Sequence, residues 1–228
     1  MLEPIFTGAE FDEVWPLVRD HHYAHRRTAD PMFCFAARSP GGLFGDTGTP
    51  VAAIVYTAPV NRYFGAGAVE LARLVRHPQA ELRLSRFIAW SLRWLKANTD
   101  LRYCLSYAEC AAGHHGGIYQ ATNFLHVMVA KGNRQYENPV TGETVSGRSF
   151  DQRRPEYRSG WLPKKTGKKF LYVFPLGERK RALLRRFNWQ ELPYPKPNAT
   201  RPLDEMVPTV VRAARPRRVA PDYILDDH

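Results

Sequence analysis

The chain is short of cysteine and of acid, and it has no long apolar run. Its three cysteines, Cys34, Cys104 and Cys110, are odd in number and form no CxxC pair, which excludes a disulfide framework and the usual spacing of a zinc site. A reducing compartment suits that usage, so a cytoplasmic location is expected. No segment reaches the roughly 18 apolar residues of a membrane span, and the acidic start MLEPIFTGAEFDE lacks signal-peptide form. The expectation is a soluble protein without a membrane partner. Acid is scarce: 22 Asp plus Glu stand against 33 Lys plus Arg, a formal charge of +11. That imbalance turns the search for partners toward polyanions, nucleic acid first.

What the chain does hold is enough apolar residue, 44% of 228, to bury one substantial core. TGAE at Thr7 to Glu10 has capping-box form and predicts a helix with Phe11, Val14, Trp15 and Val18 on one face. MFCFAAR and VAAIVYTAP read as antiparallel strands around the glycine-rich SPGGLFGDTGTP, and AVELARLVRHP as a third, with Val69 and Leu71 inward between charged neighbours. Ser85 is the expected N-cap of a helix striped by Ile88, Leu92 and Leu95. YCLSYAEC is a fourth strand, GGIYQATNF a helix, and FLHVMVAK with KKFLYVFPLG a last strand pair. The predicted class is α/β (α+β), a mixed sheet flanked by helices. One domain is expected over residues 1–187, with a proline-rich, extended tail over residues 188–228.

Several residues carry candidate chemistry. Glu109 ends a strand, where ligands of α/β sheets gather, although acids there also cap helices. His114 and His115 sit in a turn among Gly113, Gly116 and Gly117, a place for close backbone approach or for plain solvation. Tyr119 and Asn123, four apart, would share a helix face, with the tyrosine a proton donor or a core residue. His21 and His25 have metal-compatible helical spacing, which dipole pairing at a helix end explains equally. From Arg153 to Arg186 twelve Lys or Arg meet two Glu. Tyr157 and Trp161 interleave with Arg153, Arg154, Arg158, Lys164, Lys165, Lys168 and Lys169, a composition suited to phosphates and stacked bases.

IYQATNF resembles the lYeklGF signature of the GNAT acyltransferase fold. More specifically, HHYAHR, ELARL, SRFIAWSLRWL, SYAE and GHHGGIYQATNF, in that order from about His21 to Phe124, resemble the phage Mom family of DNA-modification proteins. The resemblance implies a GNAT-like, mostly antiparallel central sheet. It also implies addition of a methylcarbamoyl (glycinamide-like) group to the exocyclic amine of adenine in phage DNA, which protects the genome from restriction. Carried over by motif, the catalytic positions are Glu109, Tyr119, His22, Tyr23 and Ser85, and the substrate-binding ones Ser106, Tyr107, His114, Gly117, Asn123 and Arg73, with Glu70 beside Arg73 in its block. An iron centre would draw on His22 and Glu109.

The chain departs from the family pattern in having Glu109 for aspartate and His25 for glycine. RHPQAELRLS lacks the glycine-rich loop with which GNAT enzymes hold coenzyme A phosphates, so the donor is either an acyl-CoA or another activated glycine or acyl compound. The implied partners are double-stranded DNA and that small-molecule donor. Two rivals are an ordinary GNAT acetylating a protein or small-molecule amine, and a non-catalytic DNA-binding protein on a degenerate GNAT fold.

Overall fold

The structure, a computed structural model, describes residues 4–23, 27–28, 30–39, 48–110, 113–132, 134–164 and 167–196. Its main sheet contains β1 (Ile5–Gly8), β2 (Pro31–Arg38), β3 (Pro50–Thr57), β4 (Ala68–Arg76), β5 (Tyr103–Glu109), β6 (Leu125–Ala130) and β10 (Lys169–Pro175), in the order β1-β2-β3-β4-β5-β10-β6. Every pairing is antiparallel except β4 with β5, which the crossover helix α2 (Leu84–Asn98) joins in parallel. This is the mixed, mostly antiparallel sheet expected from the sequence.

The strands read as near-continuous apolar runs because helices cover both faces. Ala37, Ala52, Ile54, Tyr56, Val69 and Cys104 face α2, which brings down Phe87, Ile88, Leu92 and Leu95. Tyr56 shares a 2.8 Å hydrogen bond with Ser91 of α2, so even the buried hydroxyls on this face are paired. The alternate residues Ala36, Ala53, Val55 and Val75 pack on Val14 and Val18 of α1 (Phe11–His21). On that same side α5 (Lys180–Arg186) lays Leu183 over Tyr103, Leu105, Leu171 and Val173, with Phe187 just beyond it. Leu95 is fully buried, and Leu95→Ala is expected to lower unfolding free energy by about 2–5 kcal/mol, read from the denaturant midpoint.

Two local expectations fail for identifiable reasons, and one element group was not anticipated. Thr7 lies in β1, where its hydroxyl accepts from Arg38 Nε at 3.0 Å, so the helix starts after Glu10 with no side-chain cap and TGAE is no capping box. Ser85 is in the first turn of α2 and does not cap it; the N-cap is Arg83, because the chain leaves β4 through a turn held by His77 N–H to Val51 O and Ala80 N–H to His77 O. Residues 131–168, between β6 and β10, form a small lobe of β7 (Gln135–Glu137), β8 (Thr144–Ser146), α4 (Gly147–Asp151) and β9 (Leu162–Lys164), with sheet order β8-β7-β9. Tyr136 and Phe150 stack at 3.8 Å in its small core. Among the described residues, no helix is long and apolar enough to cross a membrane.

Candidate active site

The parallel strands part company early. Ala68 to Glu70 pair with Tyr103 to Leu105, and there the ladder stops. Beyond it, β4 follows β3 as far as Arg76 and β5 follows β10 as far as Glu109. A register shift between Val55 and Tyr56 helps carry β4 away. The main sheet therefore opens in its middle, at the carboxyl ends of β4 and β5, where ligands of α/β sheets bind. Ser106 marks the fork: its hydroxyl donates to the Leu71 carbonyl at 3.0 Å, pairing a group the ladder no longer reaches.

Charged and phenolic side chains gather at this opening. Lys169 Nζ lies 3.5 Å from Glu109 Oε2, an ion pair between the facing ends of β10 and β5. Burial pushes the Glu70 carboxyl up, opposed by Lys169 and Arg73 nearby. Tyr107 is pushed up to about 12 by burial and then by Glu70. Tyr23, open on one side, is also raised, by partial burial with Glu109 adding and Arg73 opposing. Burial holds the Tyr119 phenol well above its ordinary range, with Ser106 beside it opposing the rise.

The end of α1 closes one side. His22 leaves the helix with its N–H on Val18 O, and its buried ring stacks on Tyr23 at 4.4 Å. Tyr23 meets the exposed His114 at 5.4 Å, and His21 meets His77, just past β4, at 4.9 Å. The structure thus brings together His22, Tyr23, Arg73, Ser106, Tyr107, Glu109, His114 and Tyr119. Ser85 reaches the same edge of the sheet only through the start of α2.

The short α3 (Gly117–Gln120) sets Tyr119 in place. It ends too soon for Tyr119 and Asn123 to share a helix face; Asn123 is exposed in the left-handed region at φ 61°, and it turns the chain into β6. Gly116 precedes α3 at φ 83°, with the Tyr172 ring so close that a Cβ would lie 2.3 Å from its edge. A Cβ on Gly117 would press on His115 Nε2 at 2.8 Å. Tyr172 donates to His115 O at 2.6 Å, and Gln120 Nε2 donates to Tyr172 Oη at 3.2 Å and to Pro195 O at 3.0 Å. Residues 189–196 run extended beside β6 and α3, tied by Leu192 N–H to His126 O and by Tyr194 Oη–H to Phe124 O.

Helix α1 stops at His21, and His25, the other member of the metal-compatible pair, lies outside the described residues. His22 packs on Tyr23 and Glu109 pairs with Lys169. Among the described residues no three His, Cys, Asp or Glu come together as metal ligands. The donor set does not suit an iron centre.

The basic residues divide. In the small lobe, Arg153 pairs with Glu143 at 2.6 Å and covers Trp161 at 4.5 Å, Lys164 pairs with Glu137 at 2.8 Å, and Arg158 donates to the Asp151 and Arg153 carbonyls. Arg154 is exposed, Lys168 is half-buried and Lys169 belongs to the cleft. Lys165 lies outside the described residues. Glu70 stands in the sequence only as a matched position beside Arg73, and Lys169 as one of a run of expected phosphate-binding cations; a lysine opening an apolar strand that pairs with β5 is the signal that sets Lys169 apart.

The Mom protein family matches residues 7–196, most of the chain. The chain belongs to the Mom family. That match takes in the whole cleft and the extended stretch beside β6, well past the Phe124 limit of the motifs. The fold is also similar to solved acetyltransferases. NAA60 of Arabidopsis thaliana in complex with acetyl-CoA is 10% identical, with a TM-score of 0.49 over 76% of this chain and 98% of that one. An acetyltransferase of Bacillus subtilis in complex with CoA is 12% identical, with a TM-score of 0.46 over 76% and 99%. A probable acetyltransferase of Staphylococcus epidermidis is 10% identical, with a TM-score of 0.48 over 75% and 98%. No curated protein matches the Mom-family chain.

Proposed function

We propose that this Mom-family chain transfers a small acyl-derived group, of methylcarbamoyl or glycinamide type, to the exocyclic amine of adenine in double-stranded DNA and so shields that DNA from restriction. The observation that carries the reading is the fork between β4 and β5, where a half-buried carboxylate, Glu70, lies beside Arg73 and Lys169 and near the protonated phenol of Tyr119. The amine of adenine is a weak nucleophile, its lone pair being delocalised into the ring, so attack needs a base as its proton leaves. A carboxyl that burial raises above its ordinary range is better matched to that task than a fully solvated one.

In this scheme the amine nitrogen attacks the carbonyl carbon of an activated acyl donor, such as an acyl-CoA. Glu70 takes the nitrogen's proton, the new C–N bond forms, and the bond from the carbonyl carbon to the leaving group breaks. Tyr119 gives its proton to the departing group and is reprotonated from solvent, to which Glu70 in turn releases the proton it took. Glu109, held by Lys169, and Tyr23, backed by His22, orient the adenine. An adenine inside a duplex cannot reach such a fork, so the base is flipped out.

Plasmid isolated from cells expressing the chain is expected to resist endonucleases whose sites contain adenine. Plasmid cut as readily as that from an empty-vector strain, with soluble protein present, contradicts the reading. Duplex affinity should also weaken with salt, by about 40-fold from roughly 50 to 200 mM if three phosphates are neutralised. A salt-independent dissociation constant in a filter-binding titration would count against DNA as the partner.

A further inference from the structure

The small lobe ends in a hairpin tip that the scheme above does not use. It springs from the ends of β6 and β10, where Lys169 stands opposite both Ala130 and Glu109, so it leaves the sheet at the edge holding the cleft. Residues 138–143 join β7 to β8, and the loop is braced. Asn138 N–H donates to Glu143 O at 2.9 Å, Gly142 N–H donates to Asn138 O at 2.8 Å, and the Asn138 side chain accepts from Val140 N–H at 2.9 Å and Thr141 N–H at 3.3 Å. Ion pairs Arg153–Glu143, Lys164–Glu137 and Arg134–Asp151 tie the hairpin to the rest of the lobe. The loop is built to hold one shape.

That shape displays Pro139 and Val140 to solvent. Val140 is 91% exposed, more than any other large hydrophobic among the described residues. Turn tips ordinarily take Gly, Asn, Asp or Ser, each for a backbone reason, and a β-branched apolar residue there serves no local need. The lobe around it, residues 131–168, has nine Lys or Arg against four Asp or Glu, which suits a polyanion surface. Rigid apolar side chains presented amid positive charge enter base steps in proteins that unstack DNA.

We infer that the Pro139–Val140 tip is a wedge that enters a base step of duplex DNA beside the adenine being delivered to the fork. This rests on the adenine-transfer reading. The wedge occupies stacking space that the departing base vacates, so it favours the open state over the stacked one.

Permanganate oxidises thymines that have lost stacking and pairing, and it reports opening without knowledge of the preferred sequence. Full-length protein bound to plasmid duplex is expected to create reactive thymines. Val140→Ser should reduce them by about tenfold, the loss of roughly one good apolar contact, while Val140→Leu keeps them and both variants retain the wild-type melting temperature. Equal reactivity in Val140→Ser overturns the wedge and leaves adenine transfer standing. No reactive thymine under the wild-type protein at saturating DNA binding also overturns it, and nucleoside mass analysis of the same DNA then tells whether transfer itself fails. Val140-dependent sedimentation with phosphatidylglycerol vesicles, with thymine reactivity unchanged, overturns it in favour of a lipid surface.

Discussion

Glu70→Gln is expected to reduce adenine modification by about two to four orders of magnitude, the usual contribution of a positioned base, without unfolding the protein. Glutamine fills the same space beside Arg73 and Tyr107 but accepts no proton. The pH behaviour identifies the group. Burial raises the Glu70 carboxyl, so wild-type activity should fall on acidification at a higher pH than an ordinary glutamate would give, and the variant should lose that acid limb. Stability runs the opposite way. The folded chain holds this proton more tightly than the unfolded one, so the Glu70 contribution to stability is fullest below the ordinary glutamate range and is lost as pH rises through the raised pKa. A variant with normal melting and no acid limb points to chemistry; one that merely unfolds points to structure. Initial rates of nucleoside modification between about pH 5 and 8 supply the test.

The second large effect is on stability. Gly116→Ala forces a Cβ to within 2.3 Å of the Tyr172 ring while the backbone stays at φ 83°. Left-handed geometry costs an alanine about 1–2 kcal/mol, and overpacking adds about 1–3 kcal/mol, so a loss of about 2–5 kcal/mol is expected in urea denaturation. Relief would move Tyr172 off His115 O and Gln120, loosening α3 and the Pro195 anchor together. Tyr119 rides on α3, so surviving protein should also transfer poorly. Gly113→Ala, likewise at positive φ but with nothing within 4 Å of its Cβ, is the control and should cost only the backbone part.

Much of this architecture was legible in the sequence because its strands are long and covered on both faces. MFCFAAR, VAAIVYTAP, YCLSYAEC and KKFLYVFPLG are apolar enough that few alternatives compete. The four residues of β1 and the three-residue strands of the lobe fall below what periodicity can detect. In β4 the alternation misled more subtly. Glu70, lying between Val69 and Leu71, looks like a solvent-face residue, yet it turns into a fork that exists only because β4 and β5 separate after three pairs. Strand separation is a tertiary fact that no local pattern records. Ion pairing is likewise invisible to a charge count: Glu137, Glu143 and Asp151 pair with Lys164, Arg153 and Arg134 in the lobe.

Mass spectrometry of nucleosides tests the central claim most directly. DNA from cells expressing the wild-type chain should yield a deoxyadenosine heavier by one small acyl-derived group, absent from the Glu70→Gln strain and from empty-vector cells. Unmodified deoxyadenosine throughout, with soluble wild-type protein in the lysate, would contradict it.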